Sequence, residues 1–193
     1  MDVTELVRKR PGGRTERHTQ AIVEATLMVL AEKGYGALSF SDVAQAAGVN
    51  RSTLSRRWSS RADLVMFAIG QSLTVQIIPS DTGSLEGDLR HLLRQVGAYV
   101  STPLGAAVLV ASLEMELSDP PDRPQWWTER LTVFDDMFDR AQARGEIPAV
   151  FDREVAIALA SGGLYFRRIT FGQVVDESWI DRVVAMWKGL IAH

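Results

Sequence analysis

The sequence contains no cysteine and only three histidines, His18, His91 and His193, in 193 residues. The first absence excludes disulfides, thiol nucleophiles and thiolate metal centres together, and suits a reducing compartment. The second leaves nothing at metal-ligand spacing, and His91 falls beside the apolar stripe of its segment, an exposed position. No run of some eighteen uncharged apolar residues occurs, and Arg8, Lys9, Arg10, Arg14 and Arg17 near the start have no apolar stretch behind them. Neither a membrane span nor a secretory signal is therefore expected, and the chain reads as cytoplasmic with no membrane partner. A glycine-rich phosphate loop, a serine elbow and an HExxH pattern are also missing. Glu114 with Glu116, and Asp135 with Asp136 and Asp139, bring carboxylates together, but without a histidine beside them they read as a solvated acidic face. No enzyme, cofactor or metal site is expected.

Period-two alternation is lacking as well, so the expected fold is all-α with about nine helices. The net charge of −3 argues on its own against nucleic acid, but it conceals a division. Residues 1–61 hold ten Lys/Arg against six Asp/Glu, a surplus of +4, while the remaining 132 residues hold eleven against eighteen, a balance of −7. One end is built to meet an anion and the other is not.

After a basic arm (Val7 to Gly13), Ile22, Ala25, Val29 and Leu30 mark a first helix that Gly34 stops. Ser39 and Asp42 form an N-cap pair for a short helix ending at Gly48, and Asn50 caps a third in which Leu54 and Trp58 face inward. This is helix, tight glycine turn, helix. Ser60 and Asp63 repeat the cap and open a longer helix that ends before Pro79. Further helices are predicted from Leu85 to Ser101, Leu104 to Leu117, Gln125 to Arg144, Arg153 to Phe171 and Glu177 to Ile191, with a loop over the proline-rich Asp119–Pro124.

The stretch SFSDVAQAAGVNRSTLSRRWSSRADL, from Ser39 to Leu64, resembles the DNA-binding region of the TetR family of bacterial repressors. The shared pattern is Ala-Ala-Gly-Val, a capped recognition helix, a buried aromatic and then Ser-basic-x-acidic-Leu. Behind it, GGLYFRRITFG and a helix ending WKGLI look like one C-terminal subgroup of the same family. The resemblance implies a homodimer that binds double-stranded operator DNA, most often as a repressor, and answers to a small-molecule effector. In the family pattern the position of Ser55 is commonly tyrosine and that of Arg61 commonly lysine. The first departure removes a long phosphate-reaching hydroxyl; the second keeps the charge.

The residues support the same reading independently. A helix capped by Asn50 turns its first amides toward a phosphate, while Arg51, Ser52, Thr53, Ser55 and Arg56 project into a major groove. Arg56 can fork onto guanine, and Arg57 or Arg61 can hold the backbone. Arg14 and Ser39 complete the expected DNA contacts. The arm reads equally as a solvated tail or as a groove contact. An enzyme that keeps only the fold, and a helical adaptor with an acidic partner, are the competing classes.

The expected division is a DNA-binding head, residues 1–60, and a regulatory domain, residues 61–193. In the latter, Met115, Trp126, Trp127, Phe134, Met137 and Tyr165 read either as core or as the walls of an apolar ligand pocket. The last two helices carry more apolar surface than one packing face needs. Leu159, Gly162, Phe166, Ile180, Val184, Trp187 and Ile191 are therefore assigned to a dimer interface of two helices from each subunit.

Overall fold

The computed structural model describes residues 14–118 and 134–191; the side chains of residues 14–15, 74–76 and 190–191 fall outside that description. Among the described residues there are nine helices and no strand. They are α1 (Arg14–Ala37), α2 (Phe40–Ala47), α3 (Arg51–Arg57), α4 (Arg61–Gln76), α5 (Leu85–Val100), α6 (Pro103–Ser118), α7 (described over 134–143), α8 (Arg153–Phe171) and α9 (Glu177–Ile191). The all-α expectation holds.

The boundaries follow from capping chemistry. Gly34, at φ 74° and ψ 169°, breaks the regular part of α1 where the sequence places the stop. The Asp42 amide donates to the Ser39 hydroxyl at 3.2 Å and the Ser39 amide donates back to the Asp42 carboxylate at 3.2 Å, so the cap of α2 is reciprocal. Ser60 and Asp63 repeat it at 3.0 and 3.1 Å for α4. Between them, Asn50 accepts the Ser52 amide at 3.1 Å and starts α3. Ile22, Val29, Leu30, Tyr35, Leu38, Val43 and Leu54 close the core beneath α1 to α3, and Trp58 packs its ring 5.3 Å from that of Phe67 on α4.

Helix α5 runs through the middle of the larger half. Leu85, Leu89, Leu92, Leu93, Val96, Tyr99 and Val100 are all buried, with α6, α8 and α9 packed around them. The chain turns by 87° between α5 and α6. Gly105 permits that close turn, since a Cβ there would lie 2.0 Å from the Tyr99 carbonyl oxygen. Asp88 is buried on α5 and accepts from the Thr82 amide at 2.6 Å, the Thr82 hydroxyl at 2.8 Å and Arg140 of α7 at 3.2 Å. Arg140 also donates to the Ser80 carbonyl at 2.6 Å, so one clasp joins α7, α5 and the loop after α4. Burial alone would raise the Asp88 pKa; the Thr82 donors and Arg140 outweigh it and hold the carboxyl below its ordinary value.

Helix α9 corrects one expectation. Ile180, Val184 and Trp187 are 2%, 1% and 3% exposed and face α5 and α8 of their own protomer. Trp187 donates its indole N–H to the Ala156 carbonyl at 2.8 Å, which fixes the ring inside. These three side chains belong to the protomer core and are not available to a second subunit. The side chain of Ile191 lies outside the described residues. Among the described residues no single helix is long and apolar enough to cross a membrane, and no group of three or more His, Asp or Glu could hold a metal ion.

Candidate DNA interface and ligand cavity

With Leu54 and Trp58 buried, helical geometry decides what α3 presents outward. Arg51, Ser52, Ser55, Arg56 and Arg57 are exposed, and Thr53 is half-buried. Arg56, two positions from both inward residues, stands on the side of the helix away from them. Neither Arg51 nor Arg56 forms an ion pair or hydrogen bond among the described residues, so both charges face solvent unneutralised.

The other two arginines are differently placed. Arg57 donates to the Thr19 hydroxyl at 3.0 Å and lies over the Trp58 ring at 4.6 Å, which ties the end of α3 to α1. Arg61 stacks over the Tyr35 ring at 4.4 Å and donates to the Gly36 carbonyl at 3.1 Å. Its guanidinium serves the exposed carbonyls at the end of α1 and forms a clamp between α4 and α1. The Ser39 hydroxyl is likewise engaged, donating to Asp42 at 2.6 Å while it caps α2. Arg14 opens α1, and its side chain falls outside the described residues.

In the larger half, α4, α5, α6, α7 and α8 enclose a cavity of about 380 Å³. Its walls are mostly apolar, with Ile69, Leu73, Val96, Val108 and Ile157 among them. Polar groups reach it at Tyr99, Ser112, Glu154, Ser161 and Tyr165. The hydroxyls of Ser112 and Ser161 donate back to carbonyls of their own helices at 2.9 and 2.8 Å. Tyr99 is 5% exposed and its hydroxyl makes no hydrogen bond of good geometry. Burial raises its pKa, and the neighbouring Ser72 hydroxyl partly opposes that rise.

Of the residues expected to bind a ligand, Phe134 and Tyr165 line this cavity. Met115 does not: one turn beyond Ser112 on α6, it is fully buried as a core side chain. Met137 is also buried, against a void of only about 10 Å³. Trp126 and Trp127 lie outside the described residues. Sequence reasoning missed Tyr99, Ser112, Glu154 and Ser161. The available signal was a hydroxyl interrupting an apolar helix, as Ser112 and Ser161 do.

Helix α8 divides its surface three ways. Ala156, Ala160 and Leu164 face the core, and Ile157, Ala158, Ser161 and Tyr165 face the cavity. Val155, Leu159, Gly162, Phe166 and Ile169 remain outward at four-three spacing, with the four large side chains 51%, 57%, 58% and 55% exposed.

A helix-turn-helix with free arginines, joined to a helical half around an apolar cavity, is also what comparison with known proteins finds. The family described as "Bacterial regulatory proteins, tetR family" matches residues 22–66, and "Tetracyclin repressor-like, C-terminal domain" matches residues 79–187. The chain belongs to the TetR family. This TetR-family chain is similar to the HTH-type transcriptional regulator AqdR of Rhodococcus erythropolis, with 30% identity over 159 residues covering 81% of the chain and 76% of the relative. It is similar also to the DNA-binding transcriptional repressor TetR of Mycobacteroides abscessus, at 29% identity over 89% of the chain and 92% of the relative. Among solved structures, the TetR family transcription regulator SCO0332 shares the fold with a TM-score of 0.71 and 22% identity, covering 90% of this chain and 97% of that one. The protein is thus a DNA-binding transcriptional regulator with a ligand-binding C-terminal domain, and its family and relatives are regulators rather than enzymes.

Proposed function

We propose that this TetR-family protein is a cytoplasmic repressor that grips a palindromic operator as a homodimer and lets go when a small apolar or amphipathic effector fills the cavity. The observation that carries the reading is the pairing of an unneutralised Arg51/Arg56 face on α3 with an apolar chamber whose walls include α4, the helix next after α3. Residues 1–60 act as the head and residues 61–193 as the regulatory part. Arg51, Ser52, Thr53, Ser55 and Arg56 meet the major groove, Asn50 orients the first amides of α3 toward a phosphate, and Arg57 steadies the helix from α1.

The outward stripe of α8 supplies the dimer contact, with Gly162 allowing close approach of the partner helix. Two-fold symmetry then requires two half-sites whose spacing matches that of the two α3 helices, and an effector that favours another spacing weakens the grip.

The experiment is an operator titration at fixed salt, using duplex DNA from upstream of the protein's own gene. Arg56→Ala is expected to cost about 1–3 kcal/mol, roughly a 5- to 150-fold rise in Kd, with the dimer intact. An unchanged Kd removes Arg56 from base reading. Failure of the unaltered protein to prefer that DNA over a random duplex overturns the regulator of its own region.

A further inference from the structure

The cavity has a chemical polarity that its apolar walls do not convey. Glu154 is the charged side chain among its described lining residues, and it forms no ion pair or hydrogen bond among the described residues. Its neighbour Arg153 does not neutralise it, because that guanidinium donates to Asp139 at 2.6 Å, to Gln142 at 2.8 Å and to Asp135 at 3.4 Å. A second hollow of about 180 Å³ shares Phe134, Glu154 and Ile157 with the cavity and adds Asp135, Phe138 and Arg153. Glu154 therefore stands where an outer vestibule meets the inner chamber. Of the described charged residues that line the vestibule, Asp135 and Glu154 stand against Arg153, so this mouth is net negative among the described residues.

Among the described residues the other end of the chamber carries no charged side chain. Tyr165 lies eleven residues further along α8, about 16 Å at the helical rise. The polar groups on the inner walls, Tyr99, Ser112, Ser161 and Tyr165, are all hydroxyls, and that of buried Tyr99 lacks a well-formed hydrogen bond. A carboxylate beside the Phe134 ring at the mouth, with apolar walls behind, is complementary to a cation carried on an elongated apolar body. A fatty acid or other anion meets repulsion at the same place.

We propose that the effector is a lipophilic cation, an amine or ammonium whose charge sits at Glu154 and whose apolar body fills the chamber. The inference rests on the reading of this cavity as the effector site.

Its test uses the full-length protein at pH 7 and three matched probes below their aggregation concentrations: decylamine, 1-decanol and decanoate, with binding followed by calorimetry. Decylamine is expected to bind about tenfold more tightly than decanol, the scale of one charge-assisted hydrogen bond, with decanoate weakest. Glu154→Gln, at an exposed helix position that tolerates the isostere, is expected to remove the preference for the amine and leave decanol binding unchanged. Ser161→Trp, which fills the chamber, is expected to abolish binding of decylamine and decanol.

Decanoate binding as tightly as decylamine overturns the proposal, as does an amine preference that survives Glu154→Gln. Decylamine binding that survives Ser161→Trp in a folded protein places the amine elsewhere and does the same. If decanol binds and decylamine gains nothing, the cavity remains an effector site and only the cationic assignment falls. If no probe binds, the cavity reading falls with it.

Discussion

Leu159 and Ile180 offer a direct way to separate a surface that awaits a partner from one that is already buried. Leu159 is 57% exposed on α8, so a homodimer seam would cover slightly more than half of its surface. Full burial of a leucine contributes about 1.5–3 kcal/mol, which scales to about 1–2 kcal/mol for each Leu159. Two-fold symmetry counts the residue twice, giving about 2–3 kcal/mol for Leu159→Ala and a dimer weakened roughly 30- to 150-fold. Leu159→Glu adds an unpaired carboxylate from each protomer to an apolar seam, a further cost of several kcal/mol, and should leave monomers at micromolar concentration. Helical content should change little, because more than half of the side chain lies outside the packing of its own protomer. Ile180→Ala should behave in the opposite manner. That side chain is 2% exposed, so its truncation should remove about 2–5 kcal/mol of fold stability before it alters association. Sedimentation across a concentration series, paired with urea unfolding, reads both quantities. A Leu159→Glu protein that dimerises like the unaltered one would refute the assignment of the stripe. So would an Ile180→Ala protein that dissociates with its stability intact.

Two further outcomes concern the fold. Trp58→Ala should lose about 3–5 kcal/mol and lower the melting temperature by on the order of 10 °C, measured by circular dichroism, because the ring is packed against Phe67. Asp88→Ala should cost about 2–3 kcal/mol in urea unfolding at pH 7, the lower end for a broken buried pair, since Arg140 keeps partial access to water. The folded Asp88 pKa is depressed, so its contribution is complete above the ordinary value of 3.8 and is lost as pH falls through the lower folded value. The stability gap between the unaltered protein and Asp88→Ala should therefore be unchanged from pH 7 to pH 5 and shrink in strong acid.

Much of the backbone was legible because its punctuation is local. Ser39 with Asp42, Asn50, Ser60 with Asp63, and the left-handed Gly48 are each decided within four residues, and α8 and α9 begin and end at the predicted positions. The inward face of α3 was legible for the same reason, since Leu54 and Trp58 are its apolar pair. What escaped is what depends on distant partners. Helix α9 is apolar over a wide arc, and nothing in its own spacing says that Ile180, Val184 and Trp187 turn toward α5 and α8 while Met186 stays 74% exposed. Arg61 was read for its charge, at a position where the family commonly has lysine; the Tyr35 ring and the Gly36 carbonyl that its guanidinium meets lie some 25 residues earlier and left no sign in its own stretch. The cavity draws its wall from five helices, so although Ser112 and Ser161 each interrupt an apolar helix, nothing in a linear reading brings them together with Tyr99 and Glu154.

Helix α6 lies along α1, and its Glu114 accepts the Gly36 amide at 3.2 Å, while Val108, Leu109 and Ser112 of the same helix line the chamber. This has a practical bearing on building hybrid regulators, in which the reader of one operator is fused to the sensor of another. A join placed after residue 60 transplants α1 without the α6 that it was shaped to fit, leaving Glu114 facing a foreign surface. A working sensor chimera would need the seam redesigned on both sides, with the surface of α1 that meets α6 retained from the recipient and only the exposed positions of α3 exchanged.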